Sequence, residues 1–201
     1  MKFYYSKYGR ANSGIGCGTV LKEDDWNDLI NGENLCVGMK SLLTFPKNIK
    51  NVYSLNSAFL SCSYLKSFDN IGGNNKTFNN CYTLSWAFAG TGNGDKKLPP
   101  FNFDFIFPVA TRIDYCFVHC YNAVAGVGSN SFPKVKYGRS TFEETYFENF
   151  GTSANPINFP ELRCGMSMFY DSRLKNAYIN LPKLLGGHLM FSKCKLNYSS
   201  L

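Results

Sequence analysis

Apolar positions in the second half of the chain recur in one long frame. The segments FPVATRIDYCFVHC from 107, FPKVKYGRSTFEET from 132, FPELRCGMSMFYDS from 159 and LPKLLGGHLMFSKC from 181 open alike. Each begins with Phe or Leu followed by Pro and places a Phe ten residues after that opening residue. A small side chain follows three residues later. IKNVYSLNSAFLSC from 49 and FNNCYTLSWAFAGT from 78 lack the proline but keep the spacing. Six units therefore start at 49, 78, 107, 132, 159 and 181, with periods of 29, 29, 25, 27 and 22. A rival register through TFNNC at 77–81 makes the steps far more uneven.

The frame names a structural spine. Its anchors are Phe59, Phe88, Phe117, Phe142, Phe169 and Phe191, preceded by Ala58, Ala87, Cys116, Thr141, Met168 and Met190. Its small partners are Cys62, Thr91, Cys120, Thr145, Ser172 and Cys194. Periods of this size are those of leucine-rich-repeat coils, in which one unit cannot bury its own apolar face and neighbours must stack to form a core. Strand candidates lie at 65–71, 122–128 and 176–181, and the Gly/Asn tracts at 72–75 and 90–97 read as turns. Each coil is thus expected to be a strand, a turn and a short convex helix or irregular arc. The proline fixes φ where that arc begins.

Before position 45 no repeat is visible. LKEDDWNDLINGE at 21–33 predicts a helix, with acids in its first turns and Trp26, Leu29 and Ile30 available for burial. Residues 1–44 read as an N-terminal cap for the open end of the first coil, or as a segment that docks the repeats to a larger assembly. Residues 45–201 form the repeat region, and the tail CKLNYSSL reads as a truncated C-terminal cap.

At this point a family can be named. The units resemble the BspA-like leucine-rich repeats and their MF..C..L core, here AFLSCSYL at 58–65, CFVHCYNA at 116–123, MFYDSRL at 168–174 and MFSKCKL at 190–196. The likeness covers about residues 45–201; coil lengths are irregular and the strands hold few leucines. It implies an α/β repeat fold: a right-handed solenoid of about six units with a narrow parallel sheet, presenting surface for binding and holding no catalytic centre. Members of the family are bacterial surface proteins and proteins of some parasitic protists, and similar arrays occur in phage proteins.

Composition fits a folded chain. Of 201 residues, 44% are hydrophobic and 17% charged, which argues against disorder, and aromatics reach 16%. The net charge of +7 is scattered in pairs such as Lys96-Lys97, Lys134/Lys136 and Lys193/Lys195, so no nucleic-acid partner is expected. The first residues, MKFYYSKYGRANSGIGCG, lack the apolar run of a signal peptide, and no stretch is long and apolar enough to insert in a membrane.

The most chemically suggestive stretch is CFVHC at 116–120. It has no further His or Cys nearby, and the exchanges at its cysteine positions across units track size, which suits packing rather than metal or nucleophilic chemistry. The eight cysteines show no paired CxxC pattern, and reduced thiols are expected. Gly14-Ile15-Gly16-Cys17-Gly18 falls short of GxGxxG, and Glu143-Glu144 and Asp24-Asp25 are adjacent acids without glycosidase spacing. No cofactor, metal or catalytic residue is assigned. The sequence therefore points to a non-enzymatic scaffold for attachment or recognition. The first expectation is a phage virion component, such as a fibre, decoration or receptor-binding protein. A bacterial or protist surface adhesin is the alternative, and a small cysteine- or metal-dependent enzyme the remote one. Partners on this view are a protein or glycan on a cell surface, other virion proteins, or further copies of the chain.

Overall fold

A computed structural model of the chain describes residues 29–39, 51–65, 77–92, 101–102, 106–121, 123–125 and 132–197. The sequence frame prescribes a fixed step inside each unit and a variable step between units, and the backbone pairing has both properties. Parallel bridges link Asn31, Ser54, Thr83, Arg112, Tyr137, Cys164 and Gly186 in one line. From Ser54 onward every bridging residue stands five positions before an anchor Phe, from Ser54–Phe59 to Gly186–Phe191. Between bridges the chain advances by 23, 29, 29, 25, 27 and 22 residues. The length between bridges varies while the pairing stays in register.

Every second backbone N–H of a segment donates to the next segment. Ser57, Phe59 and Ser61 donate to the carbonyls of Ser85, Ala87 and Ala89, and Leu55 to Thr83. The same four bonds recur at each junction, up to Gly165, Ser167, Phe169 and Asp171 donating to Gly186, His188, Met190 and Ser192, all at 2.6–3.0 Å. A fifth bond returns in the opposite sense, as from the Tyr82 N–H to the Tyr53 carbonyl (2.8 Å). The intervening N–H groups of Ala58, Leu60 and Cys62 turn back to the carbonyls of Leu55, Ser57 and Phe59. In this way the backbone polar groups of a buried arc are satisfied without a helix.

That alternation has a conformational cost. Two turns in each segment need φ > 0 at their third residue, as type II turns do. The residues that meet this demand include Ser57 and Ser61, Tyr115 and His119, Ser140 and Glu144, and Leu189 and Lys193, with φ from 50° to 63°. Glycine fills the role only at Gly38 and Gly90. The sequence reading allowed a short helix in each arc; among the described residues these arcs are consecutive turns. The Phe-Pro openings are turns too. Pro108 and Pro133 sit second in four-residue turns closed by Ala110 N–H to Phe107 O (3.3 Å) and Val135 N–H to Phe132 O (3.4 Å), where a fixed φ helps and no N–H is needed.

Two columns of phenyl rings fill the interior. The anchors stack as Phe59–Phe88–Phe117–Phe142–Phe169–Phe191, with centroids 5.3–5.6 Å apart and planes within 14° of parallel. The unit openers form a second column, Phe78–Phe107–Phe132–Phe159, at 4.9–5.9 Å. All of these rings are buried except Phe191, which is half-buried in the last segment. The spacing is that of segments hydrogen-bonded side by side, and it falls within the roughly 4.5–7 Å range of favourable ring pairs.

Short strands flank the bridge line, all paired in parallel: β1 (Phe101–Asn102) with β2 (Ala123–Ala125), β3 (Asn149–Phe150) with β5 (Asn176–Ala177), and β4 (Ile157–Asn158) with β6 (Ile179–Asn180). The strand candidates at 122–128 and 176–181 overlap β2 and β5–β6, while 66–71 lies outside the described residues. An amide ladder from Asn149 through Asn176 to Asn197 continues the pairing on the surface.

One expectation is corrected. Over residues 29–33 the predicted helix gives way to a bridge at Asn31 and a turn, because Gly32, Asn34 and Cys36 donate to Ser54, Asn56 and Ala58 as every later segment donates to its neighbour. The registered line thus begins inside the stretch read as a cap. Residues 21–28 of that prediction lie outside the described part.

Two substitutions test this account in chemical denaturation of the full chain. Phe117→Ala is expected to cost about 3–5 kcal/mol, as truncation of a buried ring flanked by two others. Gly38 has φ +69° and open space where a Cβ would go, so Gly38→Ala is expected to cost about 1–2 kcal/mol from conformation alone. A neutral Phe117→Ala would remove the ring column as a source of stability.

Candidate functional site

The side chains of CFVHC divide between the two sides of the backbone. Phe117 lies in the anchor column, with Cys116 and Cys120 fully buried beside it. His119, at a left-handed position, points outward with its side chain 47% exposed and its Nε2 3.8 Å from Glu144 Oε1. The cluster implied by the letters is not brought together.

The small spine residues serve the backbone. Thr91 and Thr145 donate their hydroxyls to the anchor carbonyl of their own segment, Phe88 and Phe142, both at 2.8 Å. Cys62, Cys120 and Cys194 instead lean on the preceding segment, to the carbonyls of Cys36 (3.0 Å), Phe88 (3.0 Å) and Phe169 (2.9 Å). Ser172 Oγ meets Cys194 Sγ at 3.3 Å. Burial pushes the thiols of Cys62, Cys81 and Cys120 up to about 12 and that of Cys116 well above its ordinary value. A thiol held so high carries almost no thiolate at neutral pH, and the thiolate is the form that attacks or binds metal. Among the described residues no three His, Cys, Asp or Glu side chains converge on a point that suits a metal ion.

Among the described residues, two outer columns gather aromatic and charged side chains that face solvent. On one flank Trp86 stacks on Tyr115 (4.3 Å between centroids), the Arg139 guanidinium covers Tyr115 and that of Arg112 covers Tyr137. Asp114 braces this flank by accepting from Arg112 Nη1 and from the Arg139 backbone N–H, both at 2.8 Å. On the other flank, two rows converge on a groove of about 580 Å³. The residues two positions past the anchors there are His119, Glu144, Asp171 and Lys193; those four positions past are Tyr121, Tyr146, Arg173 and Lys195.

The groove is well furnished. The Tyr121 and Tyr146 rings lie 5.0 Å apart at 42°, and the Arg173 guanidinium carbon sits 3.6 Å above the centre of the Tyr146 ring. The Tyr121 hydroxyl donates to Glu144 Oε2 at 3.1 Å. Burial, and then that hydrogen bond, push its phenol up to about 12. Lys175 pairs with Glu148 at 2.9 Å, and Lys193 lies 3.6 Å from Asp171 and 4.7 Å from the Tyr170 ring centre. The arrangement binds and orients; it offers rings, fixed cations and carboxylate acceptors on a rigid floor.

The sequence reading did not single out Tyr121, Tyr146 or Arg173. Their signal is the fourth position after each anchor, which runs Ser63, Gly92, Tyr121, Tyr146, Arg173, Lys195 along the chain and is half-buried or exposed at all but Gly92. Compared with protein families, curated proteins and solved structures, the chain matches none of them.

The buried thiols yield two expectations. With an aromatic disulfide reagent at about pH 8, Cys62, Cys81, Cys116 and Cys120 should stay unmodified in the native chain and react after denaturation, as mapped by mass spectrometry. Their raised values also make stability fall with alkali. The unfolded thiol, near 9.0, loses its proton before the folded one near 12, so stability is complete below about pH 9 and falls above it. The slope is about 1.4 kcal/mol per pH unit for each such thiol. A denaturation midpoint that is flat from pH 9 to 11 would contradict the assigned burial.

Proposed function

We propose that this chain is a non-catalytic repeat scaffold for attachment or recognition, built as a BspA-like leucine-rich-repeat solenoid with right-handed coils, and carried on a phage virion as a fibre, decoration or receptor-binding protein. The observation that carries the recognition reading is the groove of Tyr121, Tyr146 and Arg173. Its binding groups stand at equivalent positions of successive segments and pack on one another, the Arg173 guanidinium on the Tyr146 ring and that ring against Tyr121, while the Arg173 backbone N–H donates to the Thr145 carbonyl of the segment before. Rings and guanidinium groups held this way lose little conformational freedom on binding, which favours a recognition surface. The buried thiols at about 12 weigh against the cysteine-enzyme reading. The family likeness of the sequence supports the solenoid assignment, as do the in-line parallel bridges and the stacked anchors.

Two measurements test the proposal. Labelled full chain should bind intact target cells, and Tyr146→Ala and Arg173→Ala should weaken that binding about tenfold or more while the thermal transition is retained, Arg173 being exposed and Tyr146 half-buried outside the ring columns. Binding indifferent to both variants would overturn the assignment of this face. Density-gradient fractionation decides the context: the chain should travel with particles, whereas recovery solely with the cell envelope would replace the virion reading with that of a surface adhesin.

A further inference from the structure

We propose that the groove takes a sugar acid, a saccharide carrying one carboxylate, with Arg173 and Lys195 as the carboxylate's partners; this rests on the recognition reading above. The argument begins with the charges. The groove walls hold the carboxylates of Glu144, Glu148 and Asp171 against the cations of Arg173, Lys175, Lys193 and Lys195. Lys175 is matched by Glu148 and Lys193 by Asp171, while Glu144 receives the Tyr121 hydroxyl and faces His119. Arg173 and Lys195 have no carboxylate partner among the described residues, and they occupy equivalent positions of adjacent segments. The groove thus has room for one added negative charge, placed between these two.

Geometry narrows the ligand further. With its guanidinium carbon 3.6 Å above the centre of the Tyr146 ring, Arg173 has one side covered and its N–H groups left to reach into the groove. That presentation suits a two-pronged bond to a planar carboxylate, which an ammonium cannot reproduce. The tilted Tyr121 ring lines the groove beside it, offering an apolar surface of the kind a sugar's C–H face packs on. The carboxylates of Glu144, Glu148 and Asp171 are acceptors that seek hydroxyl donors. A sugar acid brings several hydroxyls with a single charge. An acidic peptide brings charge in runs, which three fixed carboxylates repel. A volume of about 580 Å³ accommodates a ligand of this size.

The test is a titration of the full chain with glucuronic acid, glucose and N-acetylglutamate, followed by NMR of the Arg173 side chain and the Tyr121 and Tyr146 rings. Glucuronic acid should bind about tenfold or more tightly than glucose, from the charge-assisted pair alone. It should weaken as salt rises. Arg173→Ala and Arg173→Lys should both reduce it to the level of glucose, and Lys195→Ala should weaken it less. Should an Arg173 variant lose its thermal transition, Lys195→Ala carries the comparison. Equal binding of glucose and glucuronic acid, lost in Tyr146→Ala, would sink the sugar-acid inference and leave the recognition reading standing. N-acetylglutamate binding as well as glucuronic acid would also sink it. Silence of all three probes at the groove, with cell binding unchanged in Tyr146→Ala, would remove both.

Discussion

Everything in this molecule hangs on the row of backbone N–H···O bonds between neighbouring segments. Each junction orders about the same few residues in the same conformation, and that conformation is unfavourable on its own. Left-handed φ at residues such as Trp86, Tyr115 and Leu189 costs on the order of 1–2 kcal/mol apiece. An isolated segment would relax out of it. Only the neighbour's carbonyls, set at the same spacing, make the conformation worthwhile, and the stacked rings then close the space between the turns. Fold and stability are therefore properties of the junction rather than of the unit.

This explains which features the sequence made visible. The anchor spacing was legible because a phenyl ring and a small partner must meet the next segment at one fixed height, so their positions cannot drift. Loop length between bridges is free, so the periods vary and blur any search for a strict repeat. The second column, Phe78 through Phe159, holds the opening position of the same frame, where Pro follows Phe107, Phe132 and Phe159 and marks a turn as plainly as a packed ring. The first registered segment was hidden for a physical reason: Cys36 stands where later segments carry Phe, and Leu29, Ile30 and the acids before them mimic an amphipathic helix. The groove was the least legible part. Positions outside the ring columns are under less packing constraint, so the residue type there varies from segment to segment, and only the assembled column gives them common meaning.

The same division clarifies the cysteines. At anchor plus three the side chain is small, and Thr and Cys there donate a hydrogen bond to an anchor carbonyl, while the Ser172 hydroxyl meets the Cys194 thiol. The choice among them sets whose carbonyl is reached, since the hydroxyls of Thr91 and Thr145 bond within their own segment and the longer C–S bonds reach across to the one before. Sulfur here is a structural reach of a few tenths of an ångström, and its burial removes the reactivity that the letters CFVHC suggest.

Mechanical load gives these junctions a further meaning. A force that drives one segment sideways across the next acts on five backbone bonds and the ring contacts of that junction at the same time, so they must fail together. A force that lifts the chain from one end meets the bonds in succession and opens the stack by peeling. The molecule is therefore anisotropic: stiff against shear between its segments and compliant to being unwound, so where a tether is fixed on it decides which resistance a pulling partner feels.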